Sequence, residues 1–234
     1  MYKIALDAGH GINTAGRRCL KQYDPAEHRE WWLNDRVCDF VESYLKEYEG
    51  YELRRVDDYD DGEDNIVLEK RVRDANAWGA NVYLSVHHNG GVNGGKGGGI
   101  VCYAHPQAGK ETHALRDDIY NALIKHTGLK GNRATPKATA NFYVLGKTNM
   151  HAVLMELGFM DSSTDIPVII TDEFAQGCAR AIVDVLVERG KLTKKAVRSV
   201  RYKVQLGSFS NRANAAALAA ELKAKGYSSY IVEV

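Results

Sequence analysis

The sequence predicts an α/β protein, with a mostly parallel central sheet, helices on both faces, and a small C-terminal β-α-β unit. Three observations predict it. Apolar runs of strand length alternate with helical patterns through residues 1–190. Composition then shifts: Arg189 to Arg201 holds six basic residues, no acidic one and little apolar content. Beyond that stretch a second, shorter strand-helix-strand pattern follows. A chain of 234 residues, 44% hydrophobic and 26% charged, is long enough for one substantial domain and an appendage.

Tyr2–Ala8 reads as a buried strand. Arg29–Tyr48 reads as a long helix, because Leu33, Val37, Val41, Tyr44 and Tyr48 recur at helical spacing, and Gly50 stops it. Tyr51–Val56 is a second strand, Leu68–Trp78 a helix, and Asn81–Val86 a strongly apolar strand. Seven glycines follow in the eleven residues 89–99. They lack the Lys-Ser/Thr signature of a phosphate loop and read as a flexible rim beside a site. Ile100–Tyr103 is short and extended, Glu111–His126 is helical, Ala152–Glu156 is a buried strand and Asp172–Glu188 a final helix. In the tail, Tyr202–Gly207 and Tyr230–Val234 read as strands around an alanine-rich helix, Asn211–Lys225.

The formal net charge of +1 gives no global field for nucleic acid. The apolar runs are too short to span a bilayer. Met1–Asp7 runs straight into the first motif and leaves no room for a signal peptide, so synthesis in the cytoplasm is expected. Cys19, Cys38, Cys102 and Cys178 form no Cys-x-x-Cys pair and read as free, buried thiols.

Three segments carry the chemistry: Asp7-Ala8-Gly9-His10-Gly11, Leu84-Ser85-Val86-His87-His88-Asn89 and Leu154-Met155-Glu156-Leu157-Gly158-Phe159. Each lies where a strand-like run stops, and strand ends are where α/β proteins place ligands. With Glu30 they offer two histidines and two glutamates to one point. A hydrolytic zinc site has three protein ligands and a water, plus an acidic group that carries the proton. His10, Glu30 and His87 fit the ligands and Glu156 the proton carrier.

Each also has a plainer reading. His10 sits in a Gly-His-Gly turn, and Glu30 suits the dipole of a helix start. Glu27 and His28 compete for the same role. His87 and His88 point to opposite sides of an extended chain, so one of them at most enters a given site. Glu156 lies in an apolar run, where a carboxylate must be paired, bound or protonated.

On these motifs, residues 1–190 resemble the zinc-dependent N-acetylmuramoyl-L-alanine amidases of the amidase-3 type, peptidoglycan hydrolases of bacteria and phage lysins. The resemblance implies one catalytic Zn2+ on His10, Glu30 and His87, with Glu156 catalytic. Ser85-Val86-His87-His88-Asn89 resembles the family's Ser-Ile-His-Ala-Asn, and the resemblance assigns the ligand to His87. Arg71 and Asn76 match the family's arginine-to-asparagine spacing. The segment between His10 and Glu30 departs from the family pattern, His88 replaces a small residue, and His151 stands where proline is frequent. Residues 201–234 resemble half of a SPOR-type cell-wall-binding domain, with 191–200 as a basic linker. That implies peptidoglycan as partner and a homodimer in which two halves make one module.

The expected function is zinc-dependent cleavage of the amide between N-acetylmuramic acid and L-alanine, after release to the wall by a holin or by lysis. A zinc peptidase cutting within the stem peptide and a non-catalytic wall-binding protein are the alternatives.

Overall fold

A computed structural model describes residues 1–57, 66–196 and 204–233. It divides into two compact units, Met1–Lys195 and Ala196–Val234. In the first, β1 (Tyr2–Ala8), α1 (Glu30–Leu45), β2 (Tyr48–Glu49), β3 (Tyr51–Arg55), α2 (Leu68–Trp78), β4 (Val82–Asn89) and β5 (Ile100–Ala104) follow in order. Then come α3 (Lys110–Thr127), β6 (Lys137–Thr139), α4 (Tyr143–Gly146), β7 (His151–Phe159), α5 (Ile166–Ile169), α6 (Asp172–Gly190) and β8 (Thr193–Lys194).

Six strands form one sheet in the order β3-β1-β4-β7-β5-β6. The first four run parallel; β5 is antiparallel to β7 and parallel to β6. Strand parity sorts the core. Ile4, Leu6, Val82, Leu84, Val153 and Met155 pack with α1, α3 and α6 in the larger cluster. Ala5, Tyr83, Ala152 and Leu154 alternate with them and pack with Val72 and Ala75 of α2 and Val144 and Leu145 of α4. Helices therefore cover both faces, as expected. Each fully buried aliphatic side chain contributes about 1.5–3 kcal/mol.

From β1 the chain moves to β3 through α1, then returns past β1 to β4 through α2. Right-handed crossovers in opposite directions put their helices on opposite faces. They also leave a switch point at the carboxyl ends of β1 and β4.

Several elements differ from the expectation. The first long helix stops at Leu45, not Tyr48, because Tyr48–Glu49 pairs antiparallel with Thr193–Lys194. That ladder, with buried Leu192, ties the start of the expected 191–200 linker to the first unit. Residues 197–200 lie outside the described residues. Strand β7 runs three residues past Glu156, so this carboxylate lies inside a strand rather than at its end. The glycine-rich segment is strapped down. Asp161 Oδ2 accepts from the amides of Gly91 and Asn93, and Asp165 Oδ2 from those of Gly99 and Phe159. All four cysteines are buried and free.

The second unit holds one helix among the described residues, α7 (Arg212–Ala224), capped by the Asn211 side chain on the Ala213 amide at 2.8 Å. No residue of α7 is buried. Among the described residues, segments 204–210 and 227–233 carry no strand. Tyr202, Lys203 and Val234 of the two expected strands lie outside the described residues.

Candidate active site

At the switch point, His10 follows β1, His87 lies near the end of β4, and Glu30 opens α1. Glu30 Oε1 accepts from His87 Nδ1 at 3.0 Å and from the His88 amide at 3.2 Å. Glu30 Oε2 lies 3.2 Å from His10 Nε2. One candidate ligand atom from each of the three residues lies within 4.8 Å of the others. The Glu30 side chain is 1% exposed, and Oε2 is buried with no hydrogen-bond partner among the described residues. Such an oxygen is costly to bury unless a cation completes its environment. Burial opposes ionisation of Glu30, but the two imidazoles against it outweigh burial and hold its carboxyl well below the usual range. Burial likewise lowers the His87 pKa, yet the Glu30 hydrogen bond and the Glu156 charge bring it above the ordinary histidine value.

The chain around this cluster is built to hold it. His10 has φ +69°, a left-handed conformation unusual for a residue with a side chain. Arg71 fixes that turn. Its guanidinium donates to the Ala8 carbonyl at 2.8 Å, to the His10 carbonyl, and to Asp7 Oδ1 at 2.6 Å. Asp7 Oδ2 accepts from Ser85 at 2.6 Å, which links β1 to β4 below the site. Gly9 is required for space, because a Cβ there would lie 2.1–2.5 Å from atoms of the His87 ring. Asn34 donates to the Gly9 carbonyl at 3.0 Å, and its Oδ1 faces His88 Nδ1 at 2.8 Å.

Glu156 is the register partner of His87 across β4 and β7. It is half-buried, and its Oε2 has no hydrogen bond among the described residues. Burial pushes its pKa up to about 7; the His87 charge opposes this and the Glu30 charge adds to it. A carboxyl that titrates near neutrality, beside a His-Glu-His cluster, is suited to taking and returning a proton.

The family model for N-acetylmuramoyl-L-alanine amidase matches residues 4–188, and the SPOR domain model matches residues 199–234. The chain belongs to the N-acetylmuramoyl-L-alanine amidase family. It is similar to the sporulation-specific amidase of Bacillus subtilis strain 168, with 34% identity over 236 residues, covering 99% of this chain and 85% of that protein. To the amidase CwlM of Bacillus licheniformis it is 32% identical over 234 residues, with the same coverage of 99% and 85%. Among solved structures, the catalytic domain of the CwlV amidase from Bacillus (Paenibacillus) polymyxa superposes with a TM-score of 0.71 at 25% identity, covering 82% of this chain and all of that one. These matches decide for a peptidoglycan amidase over a stem-peptide peptidase or a non-catalytic wall binder.

In the amidase domain, His10, Glu30 and His87 come together as the sequence reading expects, with Glu156 opposite His87. The competitors stand elsewhere. Glu27 faces Arg18 and Lys21 at 3.9 Å each, and His28 Nδ1 bonds Asp24 at 2.9 Å while its ring stacks on Trp32. His88 points away from the cluster; its Nε2 is buried without a partner among the described residues, and burial drives its pKa down to about 3. The motifs alone do not reveal the parts played by Asp7, Ser85 and Asn34. A polar residue inside an otherwise apolar strand, as at Asp7 and Ser85, is the signal that points to them.

Proposed function

We propose that this amidase is zinc-dependent, with the metal on His10, Glu30 and His87 and Glu156 as the proton carrier. The buried Glu30 carboxylate between two imidazoles, with Oε2 short of a hydrogen bond, carries the reading. Two imidazole nitrogens and one carboxylate oxygen are the donor set of open hydrolytic zinc sites. Zinc bound there supplies Lewis acidity, polarising the scissile carbonyl and acidifying water. Glu156, titrating near 7, takes the proton of the attacking water and returns it to the nitrogen of the departing L-alanine. The bond broken joins the lactyl carbonyl of N-acetylmuramic acid to that nitrogen. Arg71 and Asn34 hold the turn that carries His10 through the Ala8, Gly9 and His10 carbonyls.

Digestion of purified peptidoglycan with and without chelator, read by mass spectrometry, tests this. Expected are a free muramic acid carboxyl, a new N-terminal alanine, stoichiometric zinc in the protein and chelator sensitivity. Metal-free, chelator-resistant turnover would sink the metal role.

Residues 201–234 serve as the wall-binding part, and two chains pair through them. The SPOR match and the exposure of Val204, Leu206, Phe209, Tyr230 and Val232 support this. Sedimentation then gives a dimer; a monomer at every concentration overturns the pairing. Release by a holin or by lysis brings the enzyme to the wall. Similarity to the endolysin of Bacillus phage SPP1, at 29% identity over 191 residues, covering 78% of this chain and 65% of that one, supports that route. Among the described residues no helix is long and apolar enough to cross a membrane. Fractionation that finds the protein outside intact cells would contradict release by lysis.

A further inference from the structure

We propose that Arg17 is a specificity residue that binds a free carboxylate on the stem peptide, next to the L-alanine, so that the enzyme prefers walls in which this group is not amidated. The proposal rests on the amidase reading of the His-Glu-His site and names the decoration that site selects.

Arg17 stands on the segment between His10 and Glu30, which departs from the family pattern. Its backbone is fixed. The Arg17 carbonyl accepts from the Glu30 amide at 3.0 Å, Arg18 bridges to Arg29, and the Cys19 amide donates to the His28 carbonyl at 2.9 Å. Its side chain is 58% exposed, with Nη1 3.7 Å from Glu30 Oε2. The neighbouring cations are turned elsewhere: Arg18 and Lys21 face Glu27, and Arg29 donates to the Thr14 carbonyl at 3.0 Å. Arg17 thus presents a guanidinium at the mouth of the cluster from a rigid base, close enough for Glu156 to feel its charge.

Glu30 is not a sufficient partner for that guanidinium. Its carboxylate already serves two imidazoles and the His88 amide, and a divalent cation on it would repel Arg17. A planar fork of N–H donors then faces the substrate side and matches a carboxylate in a bidentate pair. The reach is right as well. Two extended residues span about 7 Å, so with the scissile carbonyl at the cluster, the carboxylate of the residue after L-alanine comes within range of a long side chain rooted beside Glu30. Its partial exposure leaves Arg17 free to meet that group.

The test uses the full chain with zinc and two preparations of the same peptidoglycan. In one the glutamate α-carboxylates of the stem are free; in the other they are amides. Released muropeptides give kcat/KM for each, for wild type and for Arg17→Gln, with zinc content and melting temperature measured in parallel. Wild type is expected to prefer the free acid by about 10- to 100-fold, the usual worth of a charge-assisted pair. In R17Q that ratio is expected to fall toward one, and R17K to restore part of it. Equal rates of wild type on both walls overturn the proposal, as does an R17Q variant that slows both walls in proportion. If R17Q loses zinc or melts early, the wild-type ratio decides alone. Failure of the amidase reading looks different: no new N-terminal alanine from either wall.

Discussion

On one face of the sheet, Ile4 and Leu6 of β1, Val82, Leu84 and Val86 of β4 and Val153, Met155 and Leu157 of β7 are packing residues locked against α1, α3 and α6. On the other face the same strands give Asp7, Ser85, His87 and Glu156 the parity of Ala5, Tyr83 and Leu154, and the covering helix α2 supplies Arg71. His87 and His88 show the contrast at one residue's distance. His87 meets Glu30 and lies opposite Glu156. His88, one step on, turns to Asn34, and burial holds it neutral. Identical side chains acquire different chemistry because the pleat of a strand sends neighbours to different surroundings.

The largest effect expected from breaking this asymmetry is His87→Ala. It removes a ligand, so stoichiometric zinc and measurable turnover should both go; a variant that keeps its zinc would refute the ligand role. Next is Glu156→Gln, which should retain zinc and lose about 10²- to 10⁴-fold in kcat, the usual range for a lost general acid-base group. Turnover close to wild type in that variant would exclude Glu156 as the proton carrier.

Arg71→Met probes the support of the same face. It leaves the Asp7 carboxylate buried without its ion pair, a loss of about 3–5 kcal/mol by denaturant titration. Zinc affinity should weaken with it, since the His10 turn loses its clamp. Unchanged stability would show that Ser85 alone satisfies Asp7.

The smallest effect belongs to His88, on the packing face. Its folded pKa is about 3, against about 6.5 unfolded. Its contribution is therefore fully present above pH 6.5 and is lost as acidity rises toward pH 3, with a slope of at most about 1.4 kcal/mol per pH unit. His88→Ala should lower stability by about 1–3 kcal/mol at pH 7.5. The penalty should shrink between pH 6.5 and 3. A penalty independent of pH would mean that His88 is protonated in the folded protein.

Much of the site is legible from residue order. The Gly-His-Gly turn after an apolar run and a histidine pair near the end of the next central strand mark strand ends that do chemistry, and the glutamate in an apolar segment marks a buried carboxylate, although it lies inside β7 and not at its end. Period-two patterning also anticipates that only one of His87 and His88 enters the site. Less is legible where two distant segments must meet. The shortening of α1 depends on Thr193–Lys194, far along the chain, pairing with Tyr48–Glu49. The glycine-rich rim reads as loose because its straps, Asp161 and Asp165, come more than sixty residues later.

The amino-acid order alone determined the α/β class, the positions of the longer helices and the candidates His10, His87 and Glu156, because periodicity and the cost of burying charge are local properties. Tertiary structure alone decided that Glu30 rather than Glu27 joins the histidines, that Arg71 braces the turn carrying His10, and that Arg17 faces the cluster. Those outcomes depend on how the 11–29 segment folds back on α1 and how α2 crosses β1, and such distances are set by packing between parts of the chain that no sequence window contains.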